Sequence, residues 1–324
     1  MEIEKKVKSS TSKSELKKRE LKKIQSIKYS KLARGVSDIT DKTKIRIENC
    51  GSFLDFISDF EHEKHKLVSA NFCGHRFCPH CSYSKARKDA FQTSIIVDYL
   101  KSQGYKFIFL TLTAPNISGS ELEKEIRSYS KAFKRLFDLK EVKSITKGYM
   151  RKLEITYNSE SDTFHPHYHI IIAVSSSYFT DTKAYLSREK WLDYWRKAKR
   201  DERITQVDVR KLSTSADKGI LEITKYIAKD SNYMHSEGVF KAFYGALKGK
   251  RTYSYKGVFK EAVKLYKNGD LDYLKDVDTT EYLYRVWYNW NSSSSQYKCV
   301  LDAELTALDY DKYNNFVKKE MDIE

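Results

Sequence analysis

The chain has 324 residues, 40% of them hydrophobic, which is enough to bury a core in one large domain or two ordinary ones and excludes a disordered polymer. Sixty Lys and Arg against 44 Asp and Glu leave a formal charge of +16, which points to a polyanionic partner, nucleic acid before membrane; 24 Tyr, 16 Phe and 4 Trp supply ring faces for unpaired bases as well as for the core. No run of about 18 apolar residues exists to span a bilayer and "MEIEKKVKSS" leads into no apolar leader, so a cytoplasmic protein with no membrane partner is expected, whose five cysteines point to metal or reactivity rather than to disulfides.

Residues 1–44 read as a basic, flexible arm. Through residue 31 there are eleven Lys or Arg to four acids, with the helical-looking "SELKKRELKKIQSI" inside, the pattern of a mobile segment or a solvated helix able to touch phosphates. Residues 45–100 read as a zinc-knuckle subdomain and a helix. Cys73, Cys78 and Cys81 stand as C-x4-C-x2-C, and Cys50 lies upstream in "ENCGSF". A C-x2-C knuckle lets two thiolates reach one tetrahedral Zn2+ at roughly 2.3 Å, and a third Cys five residues earlier can close around it. Cys50 is the choice for the fourth ligand, with His75, His80, His62 and His65 as competitors. Lys85, Arg87 and Lys88 follow on a predicted helix that such a knuckle could present to DNA, although a zinc knuckle often only holds a subdomain together.

Residues 101–265 alternate strands and helices. "YKFIFLTLTA" (105–114) predicts a strand. "SELEKEIRSYSKAFKRLFDL" (120–139) predicts an amphipathic helix with Leu122, Ile126, Tyr129, Phe133 and Leu136 on one stripe and a Ser120/Glu123 capping box. "GYMRKLEITYN" and "TFHPHYHIIIAV" predict two strands about a turn at "SESD". "SREKWLDYWRKAKR" reads as a helix, "ITQVDVRKL" as a strand and "DKGILEITKYIAKDSNYM" as a helix. The expected class is α+β, an antiparallel central sheet with flanking helices plus the small Cys subdomain. Residues 266–324 form a C-terminal aromatic and helical segment, with a soft boundary at "NWNSSSSQYKC" and a helix over "LDAELTALDYDKYNNFVKKE".

Two stretches in the central region carry chemistry. Side chains two apart share a strand face, so His167 and His169 can bind one ion while Tyr168 points the other way. Glu154, on the preceding strand, falls where a hairpin brings it close to His167. A carboxylate beside two imidazoles suits Mn2+ or Mg2+, which favour oxygen and keep positions open for a phosphate. His165 shares the parity of the pair as a further ligand or a phosphate contact, unless Pro166 turns it away. In "LEITKYIAKDSNY", Glu222, Tyr226, Lys229 and Tyr233 fall on one helical face. A bound divalent ion can polarise the phosphodiester that a tyrosine attacks, a nearby Lys favours the phenolate, and Glu222 can activate a water against the same phosphorus. The plainer reading is a solvated Glu with a half-buried Tyr.

"FLTLTAPN" (109–116), "HPHYHIIIAV" (165–174) and "EITKYIAKDSNY" (222–233), in that order, together with "CGHRFCPHC" and "LKGKRTYSYKGVFKEA", resemble the initiator proteins of rolling-circle bacterial plasmids within the HUH endonuclease superfamily. The similarity covers roughly residues 45–265 and is specific in combination. It implies that His167 and His169 hold the divalent ion, that Tyr226 nicks one strand of the plasmid double-strand origin to leave a 5′-phosphotyrosine and a 3′-OH primer, that Glu222 directs water at termination, and that Lys229 is the lysine beside the nucleophile. Origin DNA and a host helicase with its replication machinery are the partners the resemblance implies. Tyr233 is the alternative nucleophile. A non-catalytic zinc-containing DNA-binding regulator is the competing reading, and within the superfamily a relaxase or transposase; an unrelated metallohydrolase would want more acidic ligands than cluster here.

Overall fold

The computed structural model describes residues 2–212, 231–275 and 278–319. In chain order its helices used below are α1 (Glu2–Arg34), α2 (Asp41–Glu48), α3 (Pro79–Ser102), α4 (Leu122–Asp138), α5 (Lys140–Ile145), α6 (Arg188–Lys199), α7 (Glu237–Leu247), α8 (Val258–Asn268) and α9 (Ala307–Lys319). The strands are β1 (Phe53–Ser58), β2 (His65–Ala70), β3 (Lys106–Leu112), β4 (Gly148–Asn158), β5 (Thr163–Val174), β6 (Val207–Lys211), β7 (Tyr253–Gly257), β8 (Tyr284–Asn291) and β9 (Gln296–Glu304). They build two antiparallel sheets flanked by helices, the α+β class expected. Contacts divide the chain into two compact units, Met1–Phe91 with Lys275–Glu324, and Gln92–Leu274.

The second unit is organised by a five-stranded sheet in the order β6-β3-β5-β4-β7. β4 and β5 form the hairpin read from the sequence, with Asp162 in the left-handed region (φ 48°) at the turn. The apolar run Ile170–Val174 makes β5 a central strand, buried on both faces between β3 and β4. One face is covered by α4, whose stripe Leu122, Ile126, Tyr129, Phe133 and Leu136 is buried as its 3.6-residue period requires. Tyr129 and Phe133 each meet Tyr168 edge-on with ring centroids 5.5 Å apart, and the Tyr129 hydroxyl donates to the Pro166 carbonyl at 2.7 Å. The Arg151 guanidinium lies 4.3 Å from the Phe133 ring centre and 4.4 Å from that of Tyr168, so a cation closes this face rather than interrupting it. On α6, buried Trp195 donates its indole N–H to the Thr113 carbonyl at 2.6 Å. Alternation along β5 then leaves His165, His167 and His169 on the opposite face from Tyr168.

The α4 cap differs from expectation. A 3-10 turn, Gly119–Glu121, precedes the α-helix, so the box forms between Ser118 and Glu121; the Ser118 N–H and hydroxyl both donate to the Glu121 carboxylate, at 3.4 and 3.0 Å. Glu123, released from capping, pairs with Arg127 at 2.7 Å and Lys250 at 2.9 Å.

The first unit holds a four-stranded sheet, β2-β1-β8-β9. Its central pairing sets Phe56 against Val286 and joins the two ends of the chain in one body. The division expected from the sequence (1–44, 45–100, 101–265, 266–324) is therefore not the grouping that contacts produce: a β-pairing of large sequence separation carries no local signal. Within residues 1–44, read from the sequence as a flexible arm, α1 carries a buried stripe. Arg19, Lys23, Ser26, Ser30 and Ala33 recur at spacings of four, three, four and three, and all five are buried with Tyr29 on one side of α1. Leu16 packs on the cluster Leu54, Phe56, Val286 and Tyr297, and the Glu20 carboxylate accepts the Tyr297 N–H at 3.0 Å. The buried stripe is polar in residue type, which a hydrophobic period does not reveal. At the other end, the serine run is the turn of the β8–β9 hairpin, with Ser295 at φ 52°, and residues 301–304, expected as helix, pair with Tyr284–Trp287 inside β9 before α9 begins at Ala307.

Candidate metal centres and the tyrosine segment

In the β4–β5 register Glu154 stands directly across from His167, and in the β3–β5 register Thr111 stands across from His169. All four therefore share one face of the sheet. The ligand atoms of Glu154, His167 and His169 lie within 4.8 Å of one another and all three residues are buried. Both Nε2 atoms approach the same carboxylate oxygen, His169 at 3.0 Å and His167 at 3.5 Å. The far sides of the rings are held as well: His167 Nδ1 bonds the His165 carbonyl at 3.1 Å and His169 Nδ1 the Thr111 hydroxyl at 3.3 Å, while Phe109 stacks on the His169 ring. Such contacts fix ring orientation and leave each Nε2 aimed at the cluster.

Electrostatics agree with a cation site. Burial by itself would raise the Glu154 carboxyl, but hydrogen bonds from His167 and His169 outweigh it and hold the group down at about 2, so it is ionised at neutral pH. Burial pushes His169 below the ordinary histidine range despite its bond to Glu154, which keeps the ring in the neutral form that ligates metals. His165 lies on the same face, its ring centre 5.3 Å from that of His167; Pro166 does not turn it away, yet among the described residues the cluster comprises Glu154, His167 and His169.

Glu222, Tyr226 and Lys229 lie outside the described residues. Tyr233, the alternative nucleophile, lies within them and is buried at 5% exposure, its ring 6.2 Å from Phe240 and 6.1 Å from Phe243.

Cys50, Cys73, Cys78 and Cys81 form the second cluster, with all four sulfurs within 4.8 Å of one another. Three Sγ–Sγ distances are 3.6, 3.6 and 3.5 Å (Cys50–Cys81, Cys73–Cys81, Cys78–Cys50). Ligands at roughly 2.3 Å around a tetrahedral ion stand about 3.8 Å apart, so the cage has the size of a small zinc site. Backbone N–H groups point at the sulfurs: Cys73 to Cys50 at 3.4 Å, Gly74 to Cys81 at 3.3 Å and His75 to Cys73 at 3.4 Å. Gly74 sits at φ 71°, which the knuckle turn needs and a side chain resists. Hydrogen bonds from the neighbouring thiols, Cys50 first, pull Cys78 far down, while hydrogen bonds with Cys73 and then Cys78 drive Cys50 up. Four thiols this close cannot all ionise unless a cation joins them.

The competing histidines are otherwise engaged. His75 shares a 2.6 Å hydrogen bond with the Tyr29 hydroxyl, and His80, held down at about 3 by burial, lies 3.2 Å from the Tyr297 hydroxyl. His62 and His65 belong to the β1–β2 turn region, where His62 faces Asp302 at 3.9 Å. No sequence motif marks what α1 does here: Lys23 Nζ donates to the Cys50 carbonyl at 2.6 Å, and the Ser26 hydroxyl lies 3.5 Å from the Cys78 sulfur. A serine and a lysine inside a charge run carry no mark of such a role. Thr111 was missed too, although its place in the alternation of "FLTLT" sets it on the histidine face.

A family model described as Replication protein matches residues 64–298, a span that holds Glu154, His167, His169, Glu222, Tyr226, Lys229 and three of the four clustered cysteines. A Staphylococcus aureus "Protein rep" is 49% identical over 189 residues, covering 58% of this chain and 82% of the relative. A "Protein rep" of Streptococcus pneumoniae serotype 2 is 35% identical over 265 residues (78% and 82%), and one of Lactiplantibacillus plantarum is 32% identical over 279 (80% and 86%). No solved structure matches at a significant level. Among the described residues no helix is long and apolar enough to cross a membrane. With a match over well more than half its length, the chain belongs to the Replication protein family, and its work is the initiation of plasmid replication.

Proposed function

We propose that the protein starts rolling-circle replication by nicking one strand of its plasmid's double-strand origin, as an HUH endonuclease. The observation that carries this is the Glu154, His167 and His169 cluster: three buried ligands on a rigid sheet, in a chain of this family. One carboxylate and two imidazoles, with room for further oxygen ligands, fit Mn2+ or Mg2+. Such an ion supplies Lewis-acid polarisation of the scissile phosphodiester.

The chain's own groups do the rest. The Tyr226 phenol attacks phosphorus as its proton is lost, with the charge of Lys229 favouring the phenolate. The bond from phosphorus to the 3′ oxygen breaks, the leaving oxygen takes up a proton as the 3′-OH primer, and the 5′ phosphate stays on the tyrosine. Glu222, one turn before Tyr226 on a helical period, takes a proton from water when that linkage or its equivalent is resolved at termination. Support for these three roles comes from their spacing and from their place inside the family match. The four-cysteine cage is a structural Zn2+ site that ties the β1–β2 region to α1 and the start of α3. Origin DNA is the substrate, and a host helicase enters at the nick.

The deciding experiment is incubation of the full chain with supercoiled plasmid bearing its own origin and Mn2+ or Mg2+. A nicked circle covalently joined to protein is the expected product. Binding without any nick would make the protein a DNA-binding regulator instead. Glu154→Gln keeps the shape of the carboxylate and removes its charge. It is expected to weaken Mn2+ binding by on the order of 100-fold in calorimetric titration and to depress nicking in parallel, with recovery at high Mn2+; nicking with unaltered metal affinity would remove Glu154 from the ligand set.

A further inference from the structure

α1 lies outside the span matched by the family model, yet successive turns of its buried side meet the cysteine cage. Lys23 donates to the Cys50 carbonyl at 2.6 Å; the Ser26 hydroxyl lies 3.5 Å from the Cys78 sulfur and accepts the His80 N–H at 3.3 Å; the Tyr29 hydroxyl shares a 2.6 Å hydrogen bond with His75. Of these residues Lys23 is the one whose burial needs a reason. It is 3% exposed, and an ammonium withdrawn from water is stable only beside compensating negative charge. Among the described residues no carboxylate meets it, and its hydrogen bond goes to the Cys50 carbonyl. The acids of the same region are held elsewhere: Glu15 by Arg19 and Arg87, Glu20 by the Tyr297 N–H, and Glu48 by Arg34.

The cage supplies that charge. Four thiolates around one divalent ion leave two negative charges in excess. Burial opposes the Lys23 charge, and the Cys50, Cys78 and Cys73 sulfurs favour it. The backbone N–H groups of Cys73, Gly74 and His75 also point at sulfurs, but a dipole spreads negative charge without cancelling it. We infer that Lys23 is the counter-cation of a dianionic four-thiolate Zn2+ site, a positioning residue through which α1 raises the affinity of the cage for a divalent ion; this rests on the reading of the cage as a zinc site. Docking of α1 and binding of the ion are then linked: displacing α1 takes a positive charge away from the thiolates, and losing the ion takes the compensating anion away from the lysine.

The test titrates Zn2+ out of the full chain with a chromophoric chelator, for the wild type, Lys23→Met and Lys23→Gln. Met keeps the apolar stem and removes both charge and donor, whereas Gln keeps an N–H donor for the Cys50 carbonyl without the charge. Both variants are expected to bind Zn2+ about 10-fold or more weakly than the wild type, the size usual for an outer partner of a metal ligand, and to keep the wild-type circular dichroism at saturating Zn2+. A second background separates charge from packing. Cys81, the least buried of the four, is changed to His, so that the cage carries one negative charge less; Lys23→Met is expected to cost less Zn2+ affinity in Cys81→His than in the wild type. Wild-type affinity in Lys23→Gln overturns the assignment, because a neutral donor would then suffice. An equal cost in both backgrounds overturns it too, as does a Lys23 variant that stays unfolded at saturating Zn2+, since either makes the lysine a packing element. The two readings fail separately: a wild-type chain that holds no Zn2+ removes the zinc site itself, whereas Zn2+ held equally by wild type and both variants removes only the role of Lys23.

Discussion

Tyr226→Phe is expected to eliminate the covalent protein–DNA product while leaving origin binding intact. Removing one oxygen deletes the nucleophile and keeps the aromatic ring. Loss of a nucleophile that forms a covalent intermediate costs on the order of 10^4-fold or more in rate, so no nicked circle should accumulate in a gel assay that saturates with the wild-type chain. Affinity for the origin oligonucleotide should change by less than about 2-fold, because phosphate contacts from the many Lys and Arg dominate it. Full nicking by the Phe variant would move the chemistry to another residue. Tyr233 is a poor successor, being packed between Phe240 and Phe243 in the core.

The second large effect concerns stability. Cys78→Ser is expected to release one equivalent of bound metal and to unfold the unit built from the two chain ends. Cys78 is wholly buried, 3.5 Å from the Cys50 sulfur and 3.5 Å from the Ser26 hydroxyl, so its replacement leaves a buried polar atom as well as a broken cage. Binding of a structural ion contributes on the order of 10 kcal/mol where folding depends on it, comparable to the whole stability of a domain. A drop in the midpoint of thermal unfolding of more than about 10 °C, with the bound zinc measured by elemental analysis falling by one per chain, is the expected result. Cys299 is exposed and does not belong to the cage, so Cys299→Ser should alter neither quantity. Unchanged stability and metal content in Cys78→Ser would reduce the cage to a group of buried thiols.

Both candidate metal clusters were legible in the sequence because their residues obey short-range geometry. The C-x2-C knuckle is local, and the H-x-H pair needs only the two-residue period of a strand. Glu154 was reachable by one further step, since a tight hairpin sets the register and a one-residue slip would carry the carboxylate to the Tyr168 face. Cys50 was reachable only as a choice among five candidates, because no local rule says which distant group closes a tetrahedron.

What the sequence by itself determined is the periodic and the contiguous: the α4 stripe, the β4–β5 hairpin, the ligand spacings and the family motifs. Tertiary structure alone decided that α1, a charge run by composition, lies with Lys23 and Ser26 against the cysteine cage, and that β1 pairs with β8 across more than 200 residues of chain. The reason is physical. Periodicity reports which way a side chain points within its own element, whereas the partner it meets is chosen by burial and hydrogen bonding summed over the whole unit, and a lysine that ends on a buried carbonyl looks the same in sequence as one that ends in water.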